Sequence, residues 1–411
     1  MKIAVWHNLH SGGGSRALQY HIHGLVEQGH HVEVWASDPD AGGFMKLPSS
    51  VVLHKVALHH SKANPSFKEK ISLLFFEKEA NMLAMEAHCQ QCADEIHAGN
   101  FDVLLANSCS YFAVPFIGRF VKIPKVLYLG EPMRFLYEAM PKQVWEAPER
   151  TQSKFSLEYW THSFANAWRF NRFRTYVREE WKNYKAFDKV LVNSYFSAES
   201  CERVYGLPSE VCYLGIDTSI FKPVAKPSKN TPYVVGLGSF MRHKNPEFAI
   251  RAIAQIKENR PKIVWIGNLA DDAYGTEMAT LAQQLGVVLE FKKMVSDDEL
   301  IRLLGGAICM VYTSKLEPFG FAPLEANACG TPVVAVAEGG VRETVIHGKN
   351  GFLSNKNTAE MAKYIQQLIA EPALREEMAN FAIKNVQENW SLKAGSERIN
   401  AALSEQVKNG F

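Results

Sequence analysis

Long apolar runs are missing from this sequence: nowhere do about 18 apolar residues stand together, which excludes a helical membrane span. A large charge excess is missing too. Forty-five lysines and arginines against 43 aspartates and glutamates leave a formal net charge of +2. That is too little for a general basic field, so nucleic acid is not expected as a partner. The 14 histidines form no HExxH pair or comparable spacing, and no metal site is expected. Cysteine is sparse. Seven cysteines make an odd, scattered set, which suits a reducing compartment rather than a disulfide framework. Only Cys89 and Cys92 show CxxC spacing, in a helix-like run without the strand that precedes a thioredoxin motif; they read as packing residues. The opening Met1-Lys2-Ile3-Ala4-Val5-Trp6 turns polar too soon for a secretory leader. A cytoplasmic protein needing neither metal nor cofactor is the expectation.

What is present is a chain of 411 residues, 47% hydrophobic and 21% charged, the balance of a soluble globular protein. That length suggests two domains. Short apolar runs alternate with helical patterns throughout, which is the pattern of α/β folds with parallel sheets and crossover helices. Strands are expected at 3–6, 32–36, 51–56, 103–106, 126–129 and 190–192. A second series is expected at 233–237, 263–266, 287–291, 308–312 and 333–336. Gly12-Gly13-Gly14 reads as the turn after the first strand, with the first helix over 17–28. Between 221 and 232, Pro223, Pro227 and Pro232 interrupt both periodicities. An N-terminal domain of 1–222 and a C-terminal domain of 223–389 are therefore expected, two Rossmann-like doubly wound sheets facing across a cleft. Ligands of open α/β sheets bind at the carboxyl ends of the strands.

Residues 150–187 stand apart. Trp160, Phe164 and Trp168 fall at helical spacing, as do Phe173, Val177, Trp181 and Tyr184, with Arg169, Arg172, Arg174, Arg178, Lys182 and Lys185 interleaved. One reading is a long helix packing one face on its domain and keeping a solvated basic face. The other is a surface over 160–187 that meets anionic lipid at the inner membrane face, or a lipid-linked acceptor.

The most informative segment is Glu317-Pro318-Phe319-Gly320-Phe321-Ala322-Pro323-Leu324-Glu325. It follows an expected strand and leads into a helix begun near Pro323. A helix start offers unpaired N–H groups and a partial positive charge to an anion. Glu317 in the loop and Glu325 in the first helical turn can line one cleft, since carboxylates accept from vicinal diols. An ordinary helix start with an acidic first turn has the same spacing, and spacing alone leaves both readings open.

The segment resembles the E-x7-E signature of family 4 glycosyltransferases, retaining enzymes of the two-domain GT-B fold. Other marks recur in family order: Gly29-His30-His31-Val32, Val192-Asn193-Ser194, Tyr213-Leu214-Gly215-Ile216-Asp217, Glu338-Gly339-Gly340-Val341-Arg342-Glu343, Asn350-Gly351 and Asn389-Trp390-Ser391. The last opens a final helix, 390–411, which in the family crosses back to the N-terminal domain.

The resemblance implies a role for each matching position. Glu317 binds donor-sugar hydroxyls, Phe319, Gly320 and Phe321 present backbone N–H groups, and Glu325 accepts from the ribose. Lys244, in the run from Gly238 to Asn245, falls at the family's diphosphate lysine. Ser239 replaces an arginine common there, and Arg242 is taken as the second cation. The base is expected near Met294 and Val295. Gly13 and Gly14 would let donor and acceptor approach the backbone. Where many members carry histidine, this chain has Asn107 and Gly130. Asn107, Glu131, or His7 and His10 would take over that duty, with Arg134 on the same acceptor side. The run 128–138 resembles a mannosyltransferase-like branch.

The expected activity is transfer of a hexose from GDP-mannose or a UDP-hexose to a glycan or lipid-linked acceptor in cell-surface polysaccharide synthesis. Alternatives are a catalytically silent sugar-nucleotide-binding partner of another transferase, or another GT-B enzyme such as a phosphorylase. A nicotinamide enzyme is disfavoured, because Gly12-Gly13-Gly14 lacks GxGxxG spacing and no acid closes the second strand at Ala36, although Asp38 is close.

Overall fold

The computed structural model describes residues 1–37, 45–58, 66–75, 77–138, 145–146, 153–224, 232–268 and 271–409. Asp38 and most of the proline-marked stretch, including Pro227, lie outside the described residues. The chain forms two compact units. The first holds Met1–Asn193, Ser197–Cys212 and Ser396–Phe411; the second holds Ser194–Phe196 and Tyr213–Gly395. The passage from one to the other falls after Cys212. There Ile216 N–H donates to Trp390 O at 2.8 Å, so packing assigns residues 213–222 to the second unit. A Cβ on Gly215 would stand 2.2 Å from Ser391 O, and only glycine lets these two backbones touch.

In the first unit the strands are β1 (Lys2–His7), β2 (His31–Ala36), β3 (Val52–Lys55), β4 (Val103–Asn107), β5 (Lys125–Tyr128), β6 (Lys189–Val192) and β7 (Glu210–Val211). They form one sheet in the order β3-β2-β1-β4-β5-β6-β7, and each neighbouring pair is parallel. The second unit carries β8 (Tyr233–Leu237), β9 (Lys262–Gly267), β10 (Leu289–Lys293), β11 (Met310–Tyr312), β12 (Val333–Val336) and β13 (Gly351–Ser354). Their order is β10-β9-β8-β11-β12-β13, again all parallel. Central strands are covered on both faces: Ile3, Ala4, Val5 and Trp6 are fully buried, as are Val333, Val334 and Ala335. That is why they read as unbroken apolar runs. Both sheets are doubly wound, and strand order reverses between β1 and β4 and between β8 and β11. Crevices at such switch points are where this architecture binds ligands.

Four expectations are corrected. Gly13 and Gly14 are not the turn; they are the first residues of the helix Gly13–Glu27, and only Gly12 precedes it. The strand expected at 287–291 runs Leu289–Lys293, because Val287 still belongs to the preceding helix end. Its N–H closes on Ala282 O at 2.8 Å after Gly286 at φ 63°, a Schellman stop. The edge strands β7 and β13 were not expected. Finally, the helix Leu157–Tyr184 does not bury the aromatic stripe along its length. Its buried residues are Thr175, Tyr176, Glu179, Glu180, Asn183 and Tyr184, while Trp160 is 64% exposed.

All seven cysteines are free and buried. Burial pushes the Cys92 thiol up to about 12, so it carries no thiolate at neutral pH and packs rather than reacts.

Buried Glu180 accepts from Tyr205 Oη at 2.6 Å and Tyr137 Oη at 3.1 Å. Burial raises its carboxyl from 4.5 to about 7, and the two phenols offset part of that. The folded chain therefore holds this proton more tightly than the unfolded chain. Stability falls as pH rises from about 4.5 to about 7, by about 3 kcal/mol in total. Glu180→Gln cannot ionise. Relative to the native chain it is expected to gain up to about 3 kcal/mol between pH 5 and pH 8, read as diverging urea midpoints. Parallel curves would contradict this.

Candidate functional site

Two loops leave the carboxyl ends of β8 and β11, the neighbours at the second switch point. The first runs from Gly238 to Asn245, where the helix Pro246–Ala254 begins. Gly238 sits at φ 134°, and a Cβ there would come within 3.3 Å of Lys244 Cε. The loop folds back on itself through Met241 N–H to Ser239 O at 2.9 Å and Lys244 N–H to Met241 O at 3.0 Å. The second loop, 313–320, is stitched to it. Thr313 Oγ1 donates to Lys244 O at 2.8 Å, and Lys315 N–H donates to His243 O at 2.8 Å. Across this seam Lys244 Nζ meets Glu317 Oε2 at 2.6 Å, with side-chain exposures of 16% and 26%. The two residues expected to act on the donor are thus brought together as a largely shielded ion pair.

Glu317 lies on a backbone that requires glycine opposite. Gly340 N–H donates to Glu317 O at 2.8 Å. A Cβ on Gly339 would lie 2.3 Å from Glu317 O, and one on Gly340 would lie 2.1 Å from Pro318 O. Phe319 is buried, its ring edge-on to Phe321 at 5.5 Å and tilted against Trp390 at 5.8 Å. Gly320, at φ 96° and ψ 78°, caps the helix Phe321–Ala328. No acid stands in that helix's first turn, because it starts at Phe321 and Glu325 falls in its second turn. That corrects the expected placement. Glu325 is 3% exposed, so Glu317 is the accessible carboxylate of the two.

Arg242 has other partners. Its Nη2 meets Glu277 Oε2 at 2.7 Å, and its guanidinium lies 4.6 Å from the Tyr274 ring centroid; both belong to the helix Asp272–Gln284. The pair is exposed on both sides, so releasing it costs about 1 kcal/mol or less. Met294, exposed and at φ 52°, and half-buried Val295 follow β10. The Met294 N–H reaches Gly267 O at 3.4 Å.

In the first unit, the loop after β1 and the end of β4 meet at the other switch point. Asn8, missed by sequence reasoning, ties them: its Oδ1 accepts Ser110 N–H at 2.9 Å and its backbone O accepts Ser110 Oγ at 2.8 Å. His10 is exposed beside them, whereas His7 is buried and accepts Leu9 N–H at 3.3 Å. Buried Asn107 spends its Oδ1 locally, accepting from Ser108 N–H at 2.8 Å and Ser108 Oγ at 3.2 Å. Glu131 pairs with Arg134, which also stands 3.9 Å from Glu138. The helix start at Gly13 and Gly14 is exposed, an open N-terminus suited to an anion.

Comparison with known proteins bears on this arrangement. The sequence model described as Glycosyltransferase Family 4 matches residues 11–220, just over half of the chain, and that described as Glycosyl transferases group 1 matches 217–385. Alpha-1,3/1,6-mannosyltransferase ALG2 of Homo sapiens is 27% identical over 237 residues, covering 52% of this chain and 57% of that protein. The D-inositol 3-phosphate glycosyltransferase of Arthrobacter sp. (strain FB24) is 30% identical over 210 residues, covering 47% and 50%. The chain thus matches only about half the length of these curated relatives. Among solved structures, Anabaena HepE in complex with UDP is 20% identical, with a TM-score of 0.72 over 98% of this chain and 100% of that one. HepE has also been solved with UDP-glucose. That likeness concerns the fold.

Proposed function

The chain belongs to glycosyltransferase family 4, and from that premise we propose that it moves a hexose from a nucleoside-diphosphate sugar to a glycan or lipid-linked acceptor with retention. The observation that carries this reading is the Lys244–Glu317 pair at 2.6 Å, set where β8 and β11 end. A cation held there faces the diphosphate, and its carboxylate partner grips the hexose. As the glycosidic bond opens, negative charge grows on the leaving diphosphate, and Lys244 together with the N-terminus of the helix Phe321–Ala328 stabilises it. Arg242 adds a second charge on leaving its exposed pair with Glu277. The acceptor hydroxyl attacks the same face, and the departing phosphate oxygen takes its proton. Placement and charge do the chemistry, with no metal assigned a role. The name of the ALG2 relative supports a mannosyl donor, and the HepE complexes with UDP and UDP-glucose support a UDP-linked one.

Incubation with GDP-mannose, UDP-glucose and UDP-galactose in EDTA tests the reading. Release of GDP or UDP that rises with a glycan or polyprenyl-phosphate acceptor is the expected result. Binding without release would favour the silent-partner reading, and failure to bind any of the three would sink the proposal.

We further propose that the first unit meets an anionic lipid surface. Among the described residues no helix is long and apolar enough to cross a membrane. The helices Phe67–Leu74 and Leu157–Tyr184 pack together, with Phe67 stacked on Phe164 at 6.2 Å. They expose Phe67 (70%) and Trp160, with exposed Lys68, Arg169 and Arg174 on the same two helices. Apolar side chains among cations suit an interfacial contact. The chain should co-sediment with phosphatidylglycerol vesicles and not with phosphatidylcholine alone, and Phe67→Glu with Trp160→Glu should abolish this. Retention by the double variant would refute the surface.

A further inference from the structure

The Glu317 loop is also held through its backbone, at Glu317 O and Pro318 O. Pro318 O accepts the hydroxyl of fully buried Ser194 at 2.5 Å. Ser194 opens a three-residue piece, Ser194–Phe196, that packs with the second unit although the chain on either side of it belongs to the first. That piece is fixed by one carboxylate. Glu343 accepts Tyr195 N–H at 2.9 Å and Phe196 N–H at 3.1 Å, and its Oε2 also accepts Tyr213 Oη at 2.8 Å. Glu343 lies on the short helix Val341–Thr344, directly after the Gly339-Gly340 pair that touches Glu317 and Pro318. From Tyr213 the packing continues by ring contact to Trp390 at 5.0 Å, and from Trp390 to Phe319.

The two carbonyls that flank the Glu317–Pro318 bond thus each have one donor: Gly340 N–H on Glu317 O, and Ser194 Oγ on Pro318 O. Hydrogen bonds to an ionised acceptor are the stronger class, and Glu343 gathers three of them onto the piece that carries Ser194 and onto Tyr213. The Ser194 hydroxyl and the Glu343 carboxylate are directed at the protein's own backbone and at Tyr213. Its effect is on where the Glu317 carboxylate stands.

We propose that Ser194 and Glu343 are positioning residues for Glu317: they hold the loop 316–320 so that its carboxylate meets the hexose while the diphosphate contacts are left alone. The inference rests on the donor-site reading above and deepens it. Displacing a reacting or gripping group by about 1 Å costs about a hundredfold in rate, so loss of either anchor should register in catalysis.

Two measurements on the full chain separate this inference from the donor reading. Hydrogen–deuterium exchange needs no ligand. Ser194→Ala and Glu343→Ala should speed exchange of the 316–320 amides at least tenfold while the helix Phe321–Ala328 and the strands β8 to β12 stay as protected as in the native chain. Glu343→Gln, which keeps the size and one acceptor oxygen, should fall between. Calorimetry then compares UDP with UDP-glucose and GDP with GDP-mannose. In the variants the affinity gained from the hexose should shrink toward onefold, while UDP or GDP affinity stays within twofold of native. Unchanged exchange at 316–320 overturns the bracket, as does an equal loss of nucleotide and sugar-nucleotide affinity in folded variants. A native chain that binds none of the four nucleotides overturns the donor-site reading, and exchange still judges the bracket.

Discussion

Replacing Lys244 by alanine is expected to lower hexose transfer at least a hundredfold, and replacing Glu317 by alanine should do the same for a different reason. Removing one preorganised charge from beside a developing anion costs about 10²–10³ in turnover. Lys244 is suited to that task because its backbone is pinned by Thr313 and its side chain is largely shielded, and shielding strengthens its attraction for phosphate. The two variants should part company in binding. Without Lys244, UDP or GDP affinity falls. Without Glu317, the ammonium group loses the carboxylate that neutralises it, and nucleoside diphosphate should bind as tightly as before or more tightly, even as transfer disappears. Calorimetry beside a turnover assay reads both. Near-native turnover in either variant would remove that residue from the site, and parallel losses of UDP affinity would refute the division of labour.

Gly340→Ala is the second large effect. Its Cβ would stand 2.1 Å from Pro318 O and 2.9 Å from Phe319 Cα. These are backbone atoms that cannot swing aside as a flexible side chain could, so the Glu317 loop must move. Transfer is expected to fall at least a hundredfold, with hexose recognition lost before diphosphate binding. Gly275→Ala is the control in the same unit. Nothing lies within 4 Å of a Cβ there and the position is inside the helix Asp272–Gln284. It should leave activity unchanged and add about 0.5–1 kcal/mol of stability. Normal activity in Gly340→Ala would show that the loop tolerates displacement.

Much of the fold was legible because central parallel strands announce themselves. Tyr233–Leu237 and Val333–Val336 run where the apolar runs stand. Two of the four edge strands did not announce themselves: Glu210–Val211 is two residues long, and Gly351–Ser354 is apolar only in part. Local chemistry misled twice. Three glycines after β1 read as a turn, yet two of them open a helix. Pro323 read as the start of the next helix, which in fact begins two residues earlier and so places Glu325 in its second turn. The long helix defied its own pattern, since Glu179 and Glu180 are buried by partners distant in sequence, Arg119 at 2.7 Å and the phenol of Tyr205.

In the candidate site, Glu317 and Lys244 were named from motif position, but their contact is visible only in three dimensions. Ser194 and Glu343 stood within quoted motifs without a role, because their meeting at Pro318 and Tyr195 joins segments far apart in the chain. Arg242 is taken as the second cation from its place in the run from Gly238 to Asn245. Its residue type fits a phosphate, and its partners are Glu277 and Tyr274.

The most direct test is a crystal of the full chain soaked with UDP-glucose or GDP-mannose. The diphosphate should lie within hydrogen-bond distance of Lys244 Nζ, with a hexose hydroxyl on the Glu317 carboxylate. A bound sugar nucleotide whose phosphates sit elsewhere, with Lys244 and Glu317 still closed on each other, would contradict it.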